Sequence, residues 1–385
     1  MKKAIIIASV ASMIDQFNRN NIDLLKKLGF EVSVACNFEY GSSTSNEQVK
    51  KLIGDLDNLK VKHYHVPIPR NMFDIKNMIS SYRFLKKLAL KENYSLMHCH
   101  SPIGGVLARL AFKKTRKQGT RVIYTAHGFH FYDGAPLKNW LIFYPIEKYC
   151  SKFTDCLITI NKEDYAFAKS YMNAGQVEYI PGVGVDIEKF YLKNFDVEKK
   201  KMSLGLKQND IFILSVGELN QNKNQEVIVR AIAELNDSKI HYFIAGKGDK
   251  DQYLTELAKT LGVNLHLLGY RTDVIELLNA ADIFAFPSFR EGLSVALLEA
   301  MAAKLPCIVS KIRGNVDLID ESGGFLCKPD DVHLFCIGIK ELLDKNKRQC
   351  MGDYNQSLVQ KYDVYCIMKM MSKIYDIKVD DTIIS

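Results

Sequence analysis

The nine cysteines include no Cys-x-x-Cys pair and no metal-type spacing, and their number is odd. A disulfide framework and a zinc module are therefore excluded, and reduced thiols in a cytoplasm are expected. No apolar run approaches the roughly 20 residues that cross a bilayer. The chain accordingly reads as soluble, or at most peripheral on a membrane. It has no short repeat, no low-complexity tract and a single tryptophan, Trp140. Basic and aromatic residues are not interleaved on a recognisable nucleic-acid module, which argues against that partner.

What is present is a chain of 385 residues, 47% hydrophobic and 25% charged, too long for one average domain. Its start, "MKKAIIIASVASMI", has the outline of a signal peptide. A helical pattern, "FNRNNIDLLKKLGF", and a strand-like "EVSVAC" follow it, so residues 4–9 read as the first strand of an α/β unit. Up to residue 185 there are 26 Lys and Arg against 15 Asp and Glu; beyond it the counts are 26 and 29. The basic half suggests an anionic partner, nucleic acid or a membrane surface; solvated lysine-rich helix faces account for the same numbers.

Short β-branched runs alternate with amphipathic helical stretches along nearly the whole chain. The first half has "AIIIAS", "EVSVAC", "KVKHYHVP", "SLMHCH", "RVIYTA", "DCLITI" and "VEYI"; the second has "DIFILSV", "IHYFIAG", "NLHLLG", "DIFAFP" and "PCIVS". That alternation predicts βαβ units and parallel sheets. Pro181, Gly182 and Gly184 break regular structure in "IPGVGVDIEKF" and mark a linker. The expectation is an α/β protein of two doubly wound domains facing each other, with ligands at the carboxyl ends of the strands.

In that frame "SFREGLSVALLEAMAAKLP" (288–306) is informative. The strand "DIFAFPS" ends in a loop carrying Glu291, and a helix capped by Ser294 follows. Backbone N–H groups around Gly292, Leu293 and Ser294 can hold a phosphate at the helix tip. Glu299, flanked by Leu298 and Ala300, costs several kcal/mol in apolar surroundings unless hydrogen bonds satisfy it. Vicinal ribose hydroxyls would do so, and hexose hydroxyls would do the same for Glu291. One exposed glutamate and an incidental loop acid remain the alternative.

The ordered series "VGELNQNKN", "AGKGD", "LGYRTDV" and "REGLSVALLEAMAAKLPCIVS" resembles the retaining, nucleotide-sugar-dependent glycosyltransferases of family 4, which have the GT-B fold. The likeness covers essentially the whole chain. "HCHSPIGGVLARL" and "YTAHGFHFYDGAP" resemble the bacterial branch that assembles capsular or exopolysaccharide units. The resemblance implies an N-terminal acceptor domain over 1–182, a C-terminal donor domain over 183–358, and a helical segment, 359–385, returning to the first domain. It implies a sugar moved from a UDP-sugar to a polyprenyl-diphosphate-linked saccharide, with retained anomeric configuration and no cofactor or metal. No Asp-x-Asp pair in a loop between strands contradicts that.

Carried over by position, the resemblance makes Glu299 the ribose acid, Glu291 the acid on the donor sugar's hydroxyls, and Lys223 the cation on the diphosphate. Gly217 belongs to the same donor loop. The family usually has an arginine where this chain has Glu218, so neutralisation leans on Lys223, the helix tip and Lys247 or Arg313. Gly246 and Gly248 permit close backbone approach to the donor, or make a plain turn. Tyr270 and Arg271 fall beside uracil, although Arg271 can instead pair with Asp273 or Glu276. His127 matches the active-site histidine that contacts the transferred sugar, with His100, His98, His130 and Asp133 as weaker neighbours. Gly104 and Gly105 open a helix that brings backbone to a phosphate or form a simple turn. With no acceptor-side carboxylate placed as a nucleophile, a front-face, oxocarbenium-like route is expected.

"FKKTRKQGTR", "RFLKKLALK" and "LKNWLIFYPIEKYCSKF" suit docking on an anionic membrane; an ordinary core helix over 137–153 is the competing reading. A UDP-sugar epimerase or a non-catalytic nucleotide-sugar-binding protein would share the same donor signature.

Overall fold

Two parallel sheets organise residues 2–41 and 45–375, the part of the chain that this computed structural model describes. Residues 2–183, joined by the C-terminal stretch from Ile367, form one unit, and Gly184–Cys366 the other.

The first unit contains β1 (Lys3–Val10), α1 (Ala11–Phe17), α2 (Arg19–Lys27), β2 (Glu31–Asn37), α3 (Asn46–Asn58), β3 (Lys62–His65), α4 (Ile75–Glu92), β4 (Leu96–His100), α5 (Pro102–Arg116), β5 (Arg121–Ala126), α6 (Leu137–Ser151), β6 (Cys156–Thr159), α7 (Lys162–Tyr171) and β7 (Gln176–Tyr179). The sheet order is β3-β2-β1-β4-β5-β6-β7. Central β1 reads as a continuous apolar run because helices cover both sheet faces, and Ala4 through Ala8 are fully buried. Its side chains alternate: Ala4, Ile6 and Ala8 point to one core and Ile5 and Ile7 to the other.

The second unit contains α8 (Val197–Ser203), β8 (Ile211–Val216), α9 (Glu226–Leu235), β9 (Ile240–Ala245), α10 (Asp251–Leu261), β10 (Asn264–Gly269), α11 (Val274–Ala280), β11 (Ile283–Phe286), α12 (Val295–Ala302), β12 (Cys307–Ser310), α13 (Asn315–Leu318), β13 (Gly324–Cys327), α14 (Val332–Glu341) and α15 (Lys345–Val359). Its order is β10-β9-β8-β11-β12-β13. In each sheet the chain reverses its direction of progress beside the first strand, between β1 and β4 and between β8 and β11. Loops leaving the carboxyl ends of those pairs diverge and leave room for a ligand.

Three expectations change. β13, "GFLC", pairs with β12 and was not expected, because four residues opening on glycine carry little pattern. The final helix, α16 (Val364–Ile374), joins the first unit at Ile367 and not at 359. Residues 359–366 stay with the second unit, where Val364 N–H donates to Val185 and the Tyr362 hydroxyl to Asp317. Helix α6 is neither wholly core nor wholly free. Trp140, Phe143 and Tyr144 pack inward, while Leu137 and Leu141 are 72% and 68% exposed.

Candidate functional site

The loops after β8 and β11 meet at the carboxyl end of the second sheet. The Lys223 ammonium lies 2.7 Å from Glu291 Oε1 and 4.6 Å from the Phe286 ring centre. Three asparagines build this meeting. Asn220 Oδ1 accepts the Lys223 N–H, Asn222 Nδ2 donates to the Arg290 carbonyl, and Asn224 Nδ2 donates to the Pro287 and Pro329 carbonyls. The polar loop "NQNKN" thus ties itself to the "PSFRE" loop by side chain to backbone bonds, which leaves the lysine aimed at the glutamate. Gly217, at φ 152, lies against the lysine stem; a methyl group there would sit 3.3 Å from its Cε.

Ser294 caps α12 by accepting the Leu297 N–H, as the sequence predicts. Leu298 and Ala300 are fully buried on either side of Glu299. Among the described residues the Glu299 carboxyl has no hydrogen-bond or charge partner, and burial pushes its pKa up to about 7. An acid held this way is an acceptor without donors, the condition that a vicinal diol relieves. Gly292 and Leu293 form the turn beside it. The Gly292 carbonyl lies where a Gly314 side chain would be, 2.2 Å from an added Cβ, so the loop before α13 closes directly on the helix tip.

Several expected donor residues have other neighbours. An added Cβ on Gly246 or Gly248 would stand 1.8 or 2.1 Å from the carbonyls of Gly217 and Leu219. These glycines let the loop after β9 pack on the loop after β8. Arg271 makes a bidentate pair with Asp273, at 2.7 and 2.6 Å, and holds that carboxyl well below the usual range. Tyr270 is 66% exposed. Glu218 accepts from Asn220 Nδ2, and its carbonyl from Gln225 Nε2, so it braces the loop.

In the first unit, strand ends β4 and β5 bring three histidines together. His100 Nδ1 lies 3.1 Å from His127 Nε2; the His98 and His100 ring centres are 4.1 Å apart. His98 bonds Thr125 Oγ1 at 2.8 Å and the Tyr375 hydroxyl at 2.9 Å. Burial lowers all three, His98 to about 3 and His127 to about 4, so the rings are neutral at physiological pH. His100 and His127 line a small cavity of about 30 Å³ with Phe17, Asn20, Asn21 and Met371. Gly104 and Gly105 are explained by their own chain: a side chain on the first would meet Ser9 at 3.0 Å and on the second the Tyr124 ring at 2.5 Å. His130 packs on Phe143 of α6, and the Asp133 N–H donates to Glu163, which sets both in the loop leading to that helix.

Sequence reasoning did not find Tyr375, Thr125 or the Lys223–Glu291 pair. A tyrosine 277 positions from His98 has no local pattern to reveal it.

Residues 196–358 match the family described as glycosyl transferases group 1, and residues 17–189 match glycosyltransferase family 4. The chain is 36% identical to the protein named glycosyltransferase EpsD of Bacillus subtilis, over 98% of this chain and 97% of that one. It is 31% identical to the Escherichia coli UDP-Gal:alpha-D-GlcNAc-diphosphoundecaprenol alpha-1,3-galactosyltransferase, over 96% and 94% of the two chains. Among solved structures, Anabaena HepE in complex with UDP-glucose superposes with a TM-score of 0.78 at 18% identity, covering 98% of this chain and 99% of that one.

Proposed function

The chain belongs to the glycosyltransferases, group 1 in its second half and family 4 in its first, with the GT-B fold, and we propose that it transfers a sugar from a UDP-sugar to a polyprenyl-diphosphate-linked saccharide. The transfer retains the anomeric configuration, needs no metal, and serves capsule or exopolysaccharide synthesis. The observation that carries the donor reading is the Glu299 carboxyl, without a partner among the described residues, on the helix that follows the loop of the Lys223–Glu291 pair. The E. coli relative's name specifies UDP-Gal and a diphosphoundecaprenol-linked acceptor, and HepE binds UDP-glucose; both support the same substrate classes.

Glu299 accepts both ribose hydroxyls. The diphosphate draws Lys223 away from Glu291 and lies against the free N–H groups at the start of α12, which stabilise the charge that builds on the leaving group. Glu291, released from the lysine, accepts hydroxyls of the sugar. Tyr270 and the backbone at Arg271 flank the uracil. His127 contacts the transferred sugar. As the glycosidic bond breaks, the departing phosphate takes the proton of the acceptor hydroxyl, which attacks from the same face. A covalent sugar adduct trapped on any side chain would defeat this route.

The acceptor is a membrane lipid, and the first unit has a surface suited to it. Helices α4, α5 and α6 cover one sheet face, and the outward sides of two of them carry Ile75, Ile79, Leu137, Leu141, Ile142 and Ile146 among lysines. Flotation with anionic liposomes should recover the protein, and Leu141→Glu should reduce that recovery several-fold. Equal recovery with neutral liposomes would remove the charge argument. The donor reading is tested by screening UDP-sugars for thermal stabilisation, with Glu299→Ala as control. A shift that persists in the variant overturns it, and turnover without any acceptor would favour an epimerase.

A further inference from the structure

The bond between His100 and His127 has a direction that its surroundings decide. One arrangement puts the shared proton on His100 Nδ1, donating to His127 Nε2. The other puts it on His127 Nε2, donating to His100 Nδ1. His100 is 2% exposed, and its remaining nitrogen, Nε2, is buried with no hydrogen-bond partner among the described residues. In the second arrangement that nitrogen carries an N–H with nothing to receive it; in the first it carries only a lone pair. Buried N–H groups left unpaired are rarer in folded proteins than unpaired acceptors, since both lose hydration but the donor is seldom tolerated. The first arrangement therefore prevails. A neutral His127 whose Nε2 accepts must carry its own proton on Nδ1.

The ring of His100 is held in place from several sides. His98 lies against it, the ring centres 4.1 Å apart and the planes tilted by 42°, and His98 is itself pinned at both nitrogens by Thr125 and Tyr375. The backbone immediately after His100 is fixed as well. Ser101 has φ 66 and ψ 152, a region that residues with a side chain seldom occupy. Its hydroxyl accepts the Ser9 N–H, while the Ser9 hydroxyl accepts the Gly104 N–H. Strain of this kind persists only where neighbouring bonds over-determine the conformation, and here they lock the end of β4 to the end of β1.

We propose that His100 is a positioning residue that holds His127 as its Nδ1-protonated tautomer, so that His127 meets the transferred sugar as a hydrogen-bond donor and not as a base. This rests on the reading of His127 as a sugar contact. It extends that reading, because a donor at this place polarises a hydroxyl or ring oxygen and leaves proton removal to the departing phosphate. The C-terminal Tyr375 becomes part of the same apparatus through His98.

The proton position is measurable without activity. Protein labelled with ¹⁵N-histidine, with His127 assigned through His127→Asn, should give long-range correlations of an Nδ1-protonated ring; an Nε2-protonated His127 overturns the proposal. In His100→Phe, which keeps a ring against His98 but loses the hydrogen bond, that tautomer bias should disappear. With a polyprenyl-diphosphate-linked saccharide supplied as acceptor, UDP release from the donor selected by the thermal screen should then fall about 10- to 100-fold in kcat, the usual effect of removing a group that orients a site residue. Donor KM and the UDP-induced thermal shift should stay as in wild type. Tyr375→Phe should lower kcat less, and in the same sense. Unchanged kcat in His100→Phe, or a change in donor KM alone, sinks the positioning role. If wild-type protein releases no UDP from any donor, the glycosyltransferase reading fails instead, and the tautomer measurement still decides this proposal.

Discussion

The second unit builds its site from opposite charges on neighbouring loops, whereas the first builds its site from neutral rings. Lys223 and Glu291 are partly exposed and neutralise each other until a ligand offers each a better partner. His98, His100 and His127 have no charge to exchange, and burial keeps them neutral, so their direction of hydrogen bonding must come from packing. The charged pair, drawn from loops 68 positions apart, can therefore be adjusted by substrate. A neutral relay needs many distant groups held still.

The sharpest way to break the contrast lies in the first unit, where one charged pair is deeply buried. Arg109 is fully buried, stacks on Tyr124 at 3.9 Å and donates to Glu147 at 2.7 Å. Glu147→Ala leaves that guanidinium unpaired and should lower the unfolding free energy by about 3–5 kcal/mol in urea titrations. Next in size, Glu299→Ala should weaken UDP binding by about 2–4 kcal/mol, from two hydrogen bonds to a charged acceptor, read by calorimetry. The same substitution should raise the melting temperature of the ligand-free protein at pH 8, because a partnerless carboxylate is removed.

Glu299 also gives the contrast a pH signature. Burial raises its pKa in the folded protein from the ordinary 4.5 to about 7, so the folded state holds the proton more tightly than the unfolded one. Stability from this group is full below about 4.5 and is lost as pH rises to about 7. UDP affinity should run the other way, rising by up to about tenfold per pH unit through that window and levelling above it. Glu299→Gln should flatten both profiles; a pH-independent wild-type affinity would show that Glu299 is not the titrating contact. The smallest effect expected is for Lys223→Met, about tenfold in UDP affinity, since the helix tip still meets the diphosphate.

Of the thirteen strands among the described residues, twelve were readable, most of them as apolar runs between helical periods; β13 is no shorter than β3, β6, β7, β11 or β12 but opens on glycine. Glu291, Ser294 and Glu299 were readable for a related reason: polar residues interrupt an apolar stretch at a strand to helix turn, and their cost there demands a function. The glycines were readable only in part. Gly246 and Gly248 signalled a close approach or a turn, and the backbone they admit is that of Gly217 and Leu219. A glycine in a sequence reports that something comes close and does not say what.

By itself the sequence determined the strand and helix alternation, the break at Pro181–Gly184, the helix cap and the acids of the second unit, since each follows from residues within about 20 positions of one another. Only the tertiary structure decided that Lys223 faces Glu291 and that Tyr375 closes on His98. Those choices depend on which strand ends the sheet order makes neighbours. Chain distance does not encode that neighbourhood, because the energy that selects it is the summed burial of both sheet faces and not any local preference.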